Sequence, residues 1–534
     1  MRDSSLLPEL IFVAADRDAT SPALTYGNAT WNYGDLYDAV SSFANGLLSL
    51  GIQRGDRVTT YLEKRFETVI ASFGVPATGC VYVPLNPILK PEQINHILRD
   101  CNARVLITSP ERLAFLNDTL MQCRDLRHVV VLDSADDSLP TSGPISYSRW
   151  NDLLAMPHRL GHRVIDTDVA GILYTSGSTG KPKGVVLSHR NMVAGAKSVA
   201  HYLENCPDDT LLAALPLSFD AGFSQLTTAF HVGARVVLLN YLLPRDVIKA
   251  IEREKVTGLT AVPPLYIQLT QLNWPESISE HLRYFANTGG RMPRETLAAL
   301  HRHLPKTKPF LMYGLTEAFR STYLPPAEVN RRPDSIGKAI PNVEILVLRE
   351  DGSPCAPNEP GELVHRGTLV GMGYWNDPER TAERYKPLPA NVPGREAGLV
   401  LPEIAVFSGD TVRMDEDGFL YFIGRRDEMI KTSGYRVSPT EVEEILYATK
   451  LVGECVAFGV DHDTLGQAIQ VIVTPPPAGN AIDTAALLAE CRMRMPGYMV
   501  PAGIEVRDGP LPRNPNGKID RKALSTAWVE KNAV

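Results

Sequence analysis

The sequence predicts an α/β protein: a large N-terminal region of layered α/β subdomains carrying an additional β subdomain, followed by a small mobile α+β C-terminal domain. Three observations predict it. The chain has 534 residues, too many for one hydrophobic core and enough for three or four units at roughly 150 residues each. From Leu24 to about Asn240, short β-branched runs alternate with longer amphipathic stretches, the signature of strands and helices in parallel layers. After Ile336 the pattern turns to short alternating segments between tight turns, and after Arg425 it changes again.

The N-terminal strands are predicted over Val58 to Leu62, Val81 to Pro84, Val105 to Thr108, His128 to Leu132, Gly171 to Thr175 and Arg235 to Leu239. Between them, Ile94, Ile97 and Leu98 share one face of a helix over Pro91 to Arg99, so that helix covers a sheet. The β subdomain, about residues 336–424, reads as a meander with strands such as Val343 to Leu348, Gly361 to Val364 and Phe419 to Gly424. Asp351-Gly352, Asn376-Asp377-Pro378 and Asp417-Gly418 mark its turns. The first domain therefore spans 1–425 and the second 426–534, with strands Glu454 to Val460 and Ala468 to Thr474 and helices Pro439 to Ala448 and Thr484 to Met495.

Lys and Arg total 54 against 61 for Asp and Glu, a net charge of -7, which gives no basic footprint for nucleic acid. No run of about 18 apolar residues predicts a membrane segment, and the first twenty residues lack the basic leader and cleavage site of a signal peptide. Seven scattered cysteines without a C-x-x-C pair point to reduced thiols and a cytoplasmic location. His158 and His162 lack Cys or carboxylate partners, and His301 and His303 diverge on a helix, so zinc is not expected.

The chemistry lies in Ile172-Leu-Tyr-Thr-Ser-Gly-Ser-Thr-Gly-Lys-Pro-Lys-Gly-Val-Val-Leu187, a hydroxyl- and Gly-rich turn between two strands. Backbone N–H groups and the hydroxyls of Thr175, Ser176, Ser178 and Thr179 can converge on an anion, Lys183 adds charge, and Gly177, Gly180 and Gly184 let the backbone approach phosphates. Pro182 follows Lys181 where a Walker A loop needs Ser or Thr, so the P-loop reading fails.

This segment resembles the signature loop of the adenylate-forming superfamily, which includes acyl-CoA synthetases, firefly-type luciferases and the adenylation domains of peptide synthetases. The resemblance recurs in order along nearly the whole chain. Asn287-Thr-Gly-Gly-Arg-Met-Pro293 is similar to the segment that lies against adenine, which brings in Gly289, Gly290 and Arg291; Met312-Tyr-Gly-Leu-Thr-Glu317 is similar to the motif whose tyrosine stacks on the base. The resemblance implies that Tyr313 and Gly314 line the nucleotide site, Thr316 meets the α-phosphate and Glu317 holds Mg²⁺. Ser408-Gly-Asp410 resembles the motif whose aspartate accepts the ribose hydroxyls, and Gly424-Arg-Arg-Asp-Glu-Met-Ile-Lys431 resembles the hinge, with Arg425 on the nucleotide and Asp427 as pivot. Thr432-Ser-Gly-Tyr-Arg-Val-Ser-Pro439 resembles the loop that swings in with the second domain, where Gly434 passes a pantetheine arm and Arg436 faces phosphate. Pro512-Arg-Asn-Pro-Asn-Gly-Lys-Ile-Asp-Arg521 resembles the motif of the catalytic lysine, Lys518.

The resemblance implies an AMP-forming acid–thiol ligase that uses ATP and Mg²⁺ to make an acyl-adenylate and transfers the acyl group to CoA, or to the phosphopantetheine of an acyl or peptidyl carrier protein. Leu215-Pro-Leu-Ser-Phe-Asp-Ala-Gly-Phe-Ser-Gln225 resembles the Phe-Asp-Ala element of amino-acid-activating domains, in which the aspartate pairs with the substrate's ammonium. Asp220 therefore has two readings: partner of a substrate ammonium, or N-cap of a helix over Ala221 to Phe230. The contexts Tyr313 to Pro326 and Tyr61 to Phe66 most resemble acyl-CoA ligases found with exosortase A systems and stand-alone proline carrier-protein ligases. The implied pocket comprises Phe219, Asp220, Ala221, Ser224, Val262, Ala286, Thr288, Met312 and Arg320, with Arg320 either favouring a polar or acidic group on the substrate tail or serving as a surface charge or in an ion pair. A luciferase-like oxidoreductase and a nucleotide-binding scaffold are the competing classes; the joint presence of Lys518, Glu317 and Asp410 argues against the scaffold.

Overall fold

The computed structural model describes residues 3–132, 139, 143–157, 159, 161–175, 182–396, 398–425, 428–432, 435–462, 465–476, 481–515 and 517–532. Two sheets organise the N-terminal region. One has seven strands, ordered Ser146–Arg149, His128–Val131, Ala103–Thr108, Arg57–Tyr61, Val81–Pro84, Val169–Thr175 and Lys183–Ser188. All neighbours in it are parallel except the last pair, Val169–Thr175 and Lys183–Ser188, which is antiparallel and flanks the Gly-rich motif in the sequence. Its inner strands read as near-continuous apolar runs because both faces are covered.

The second sheet has a parallel centre, Pro22–Tyr26, Arg235–Leu238, Thr210–Ala213, Gly258–Ala261, Tyr284–Asn287 and Lys308–Tyr313. Beyond Lys308–Tyr313 it turns antiparallel through Thr322–Leu324 and Ser335–Ala339, and the β segment joins it there. The predicted meander is thus the far wing of a fourteen-stranded sheet, in the order Ser335–Ala339, Leu420–Arg425, Ile404–Met414, Gly361–Gly367 and Val343–Leu348. Gly337 makes the junction possible. It has φ of 87°, and a Cβ there would lie 1.9 Å from the Tyr323 carbonyl oxygen, so only glycine allows the two backbones so close.

Helices Tyr33–Ser49, Phe66–Ala77, His189–Tyr202 and Asp220–Val232 share one apolar core with strands of both sheets. The helix Asp220–Val232 is buried at every residue from Asp220 to Phe230. A Cβ at Gly222 would lie 1.8 Å from the Pro216 carbonyl, so this helix is seated directly on the loop that leads into it. Among the described residues, no helix is long and apolar enough to cross a membrane.

The strand Leu420–Arg425 ends the large sheet, and the next described strand, Ile430–Thr432, belongs to a separate five-stranded sheet with Tyr435–Val437, Gly466–Val473, Cys455–His462 and Gly503–Val506. Period-two alternation gives this small sheet two apolar faces. Cys455, Ala457, Val471 and Val473 pack under helices Pro439–Ala448 and Thr484–Arg494, while Val456, Phe458 and Ile472 pack under helix Arg521–Asn532. The predicted helix Pro439 to Ala448 and strand Val343 to Leu348 have the bounds read from the sequence.

Candidate active site

The loop of the C-terminal domain that carries Lys518 is a tight turn. The Asn514 N–H donates to the Lys518 carbonyl at 2.8 Å, the Lys518 N–H donates to Asn514 Oδ1 at 3.1 Å, and Gly517 takes φ of 80°. Arg513 fastens the turn to its own domain through an ion pair with Glu454. Asn86 fastens it to the large domain, Nδ2 donating to the Pro515 carbonyl at 2.6 Å. The lysine thereby reaches the large domain. A Cβ on Gly289 would lie 3.0 Å from Lys518 Cε and 3.7 Å from Nζ, and Nζ lies 6.0 Å from the centre of the Phe219 ring. Burial lowers the pKa of Lys518, Arg425 lowers it further, and Asp220 and Asp410 oppose. Ion pairs Arg291–Glu444 at 3.4 Å and Lys450–Glu295 at 3.1 Å close the same interface.

Tyr313 ends the strand Lys308–Tyr313, and its hydroxyl donates to Asp410 Oδ2 at 2.5 Å. Asp410 sits on the strand Ile404–Met414, its N–H donating to Ser408 Oγ at 3.1 Å, with Arg425 Nε 3.3 Å from Oδ1. Burial holds this carboxyl above its usual range against the opposing pull of Arg425 and Tyr313. The motifs that carry Tyr313 and Asp410, far apart in sequence, therefore meet.

Thr316 and Glu317 lie in the short 3₁₀ turn that follows. Tyr374 donates its hydroxyl hydrogen to Glu317 Oε1 at 2.5 Å, and Lys183 Nζ lies 2.8 Å from that hydroxyl and 3.5 Å from Oε1. Burial alone would raise the Glu317 pKa, but Lys183 and Tyr374 hold it below its usual value. Tyr374 escaped the sequence reading; its only signal there was its place in Gly371-Met-Gly-Tyr-Trp375, which carries no chemistry by itself.

After the turn, Phe319 adopts φ of 59° and ψ of -55°, and the Arg320 N–H donates to the Ala318 carbonyl at 2.6 Å. This is a γ-turn in a strained region for a non-glycine residue. The Phe319 ring holds it in place by filling the space over Gly195, where a Cβ would meet the ring at 2.4 Å. The turn aims Arg320 inward: Nη1 donates to Asp220 Oδ2 at 3.2 Å and to the Phe319 carbonyl at 3.0 Å.

Asp220 does not cap the helix. The N-cap is Phe219, which makes no side-chain capping bond, and Asp220 is the first helical residue. The helix begins one residue earlier than the sequence suggested because Phe219, with φ of -104° and ψ of 139°, supplies the extended residue before it. The Asp220 side chain faces Arg320 instead, so the positive partner assigned to a substrate ammonium is Arg320, and Arg320 takes the ion-pair reading, buried rather than at the surface. Burial raises the Asp220 pKa, with Arg320 and Lys518 opposing.

Ala221, Ser224, Met312 and Arg320 line one narrow crevice with Gln225, Thr228, Thr260 and Tyr284, whose cavity volume is about 10 Å³, room for about one water. Phe219, Val262, Ala286 and Thr288 are buried nearby in the fold rather than on its walls. Gly290 accepts from Asn287 Nδ2 at 2.8 Å, and Arg291 turns away to Asp334 and Glu444. Gly314 lies beneath Arg320, where a Cβ would meet the Arg320 Cα at 3.1 Å. A further contributor is Lys64, whose Nζ donates to the carbonyls of Ala214 at 2.9 Å and Leu215 at 3.3 Å and so anchors the loop leading to Phe219.

Thr175 ends its strand and Lys183 begins the next. Ser176, Gly177, Ser178, Thr179, Gly180, Arg426, Asp427 and Gly434 lie outside the described residues, as does the side chain of Arg436, whose backbone pairs with Lys431.

Comparison with known proteins gives this site a context. Residues 11–375 match the AMP-binding enzyme family, and residues 441–518 match the AMP-binding enzyme C-terminal domain. A feruloyl-CoA synthase of Amycolatopsis is 32% identical over 93% of this chain and 94% of its own, and a long-chain-fatty-acid–CoA ligase of Yersinia pestis is 31% identical over 99% and 95%. A solved anthranilate CoA ligase in complex with anthranoyl-AMP superposes with a TM-score of 0.87 at 25% identity, covering 99% of this chain and 98% of that one. The chain belongs to the AMP-binding enzyme family and is an ATP-dependent, AMP-forming ligase of the acyl-CoA synthetase type.

Proposed function

We propose that this ligase activates a small carboxylic acid at the crevice lined by Ser224, Gln225, Met312 and Arg320, using Lys518 for the first half-reaction, and transfers the acyl group to the thiol of CoA. The observation that carries it is Lys518 of the small domain lying against Gly289, in the same space as Phe219 and within electrostatic reach of Asp220 and Asp410.

In the first half-reaction a carboxylate oxygen attacks the α-phosphorus of ATP, the bond to pyrophosphate breaks, and the acyl-adenylate forms. Two anions approach, so the Lys518 ammonium between them stabilises charge that grows in the transition state. Asp410, fixed by Tyr313 and Arg425, is the acceptor for ribose hydroxyls. Thr175, Ser176, Gly177, Ser178, Thr179, Gly180 and Lys183 are assigned to the phosphates, Thr316 to the α-phosphate, and Gly289, Gly290 and Gly314 to the nucleotide; Arg291, paired with Asp334 and Glu444, serves the contact with the small domain instead.

Glu317 has the chemistry of a Mg²⁺ ligand, a carboxylate kept ionised by Lys183 and Tyr374. Mg²⁺ held there would neutralise phosphate charge. In the second half-reaction the thiol attacks the acyl carbon and AMP leaves; Lys518 withdraws as the small domain, residues 426–534, turns about Asp427, and Arg436 comes to the nucleotide. Seven free thiols, five of them buried, support a cytoplasmic location.

The test is acid-dependent exchange of labelled pyrophosphate into ATP, followed by thioester formation with CoA or with a phosphopantetheinylated carrier protein. Exchange and thioester on CoA are expected. Exchange with thioester only on the carrier would move the acceptor, and exchange without any thioester would overturn the ligase reading.

A further inference from the structure

The helix Asp220–Val232 is buried on all sides, yet it carries Asp220, Ser224 and Thr228 at spacings of four, with Gln225 beside them. A helix enclosed by core is apolar all round unless its polar groups have partners. Some do: Ser224 and Thr228 lie within 3.4 Å of each other, and Gln225 Nε2 donates to the Gly222 carbonyl at 3.1 Å. Others do not. Asp220 Oδ1, Gln225 Oε1 and Arg320 Nε are buried with no hydrogen-bond partner among the described residues, and Asp220, Gln225 and Arg320 are 3%, 5% and 2% exposed. Gln225 and Arg320 line the crevice and Asp220 joins them through Arg320.

The open positions are two acceptors and one donor, and the charge is already balanced, one carboxylate against one guanidinium. A plain alkyl chain would leave both acceptors bare. An ammonium would add a second cation beside the guanidinium that already holds Asp220. An uncharged donor satisfies the acceptors without either cost. Resting on the ligase reading above, we propose that the acid activated here carries an uncharged hydrogen-bond donor near its carboxyl group, a hydroxyl in the first instance, which donates to Asp220 Oδ1 or Gln225 Oε1, and that Arg320 sets this preference by holding Oδ2. Asp220 follows Phe219, whose ring centre lies 6.0 Å from Lys518 Nζ, so this end of the helix borders the space the lysine enters.

The experiment uses size-matched acids in pyrophosphate exchange: 2-hydroxy, 2-methyl and 2-amino forms of propanoate and of 3-phenylpropanoate, and 2-hydroxy- against 2-methylbenzoate. The full-length enzyme should prefer the hydroxy acid of at least one set over its methyl partner by about tenfold or more in kcat/KM, the range expected when a buried acceptor is left bare. In Gln225→Leu that ratio should fall severalfold toward one. In Arg320→Gln the order should shift toward the amino acid, because Asp220 loses its cation. Equal or better use of the methyl acids in every set, or preference for the amino acids by the unaltered enzyme, overturns the proposal. Binding of paired hydroxyacyl and methylacyl sulfamoyl-adenosines, which needs no turnover, separates the two claims. Discrimination between them without exchange keeps the pocket assignment and sinks the ligase reading; exchange without discrimination does the reverse.

Discussion

Arg320 Nη1 stands 3.2 Å from Asp220 Oδ2 with both side chains almost fully buried, joining a strained turn after the Tyr313–Glu317 motif to the first residue of a core helix. The pair links the acid pocket to the nucleotide side of the site. Breaking one half leaves an uncompensated buried charge. Arg320→Met should therefore destabilise the protein by about 3–5 kcal/mol, and Asp220→Leu with Arg320→Met together by much less. Denaturant unfolding of the two single variants and the double variant checks this. Additive losses would show that the two side chains do not act as a pair.

Tyr374 and Lys183 hold Glu317 ionised, and the direction fixes a pH dependence. The carboxyl is lowered from a usual value of 4.5, so the stability it contributes is fully present above that value and is lost as pH falls through the lowered one. Tyr374→Phe removes one of the two stabilising groups. The acid limb of unfolding, followed by circular dichroism, should move to higher pH in this variant while stability at neutral pH changes by about 1 kcal/mol. An unmoved acid limb would contradict the assignment.

Gly289 has φ of 78° and leaves the space that Lys518 Cε enters. Gly289→Ala should cost about 1 kcal/mol of stability from the left-handed backbone. Adenylation should fall at least tenfold, while thioester formation from supplied acyl-adenylate stays near normal. Gly51→Ala, at a glycine with φ of 75° whose Cβ would meet nothing within 4 Å, is the control for the backbone cost alone. Matching losses in both half-reactions would mean the residue serves the fold and not the approach of the lysine.

Much of this was legible in the chain. The strands, the change of character after Arg425 and the helix Pro439–Ala448 follow from periodicity and turn residues, which are local properties. The motifs carrying Tyr313, Asp410, Glu317 and Lys518 were read one by one, and the fold brings them to one place. What stayed hidden was pairing over distance. Asp220 and Arg320 are a hundred positions apart, and no local signal says which buried charge faces which. The junction at Gly337 was equally invisible, because a glycine between turns gives no hint that a strand 14 residues earlier runs against it. The helix start was misjudged by one residue since Phe219 supplies extended backbone without a capping side chain.

The most direct test of the central claim is a comparison of the two half-reactions in Lys518→Ala. Pyrophosphate exchange should fall by about a thousandfold, as for loss of a group that meets charge only in the transition state, while CoA thioester formation from supplied acyl-adenylate stays within about twofold and the unfolding free energy within about 1 kcal/mol of the unaltered enzyme. Equal loss in both half-reactions, or exchange that survives without the ammonium, would contradict the claim.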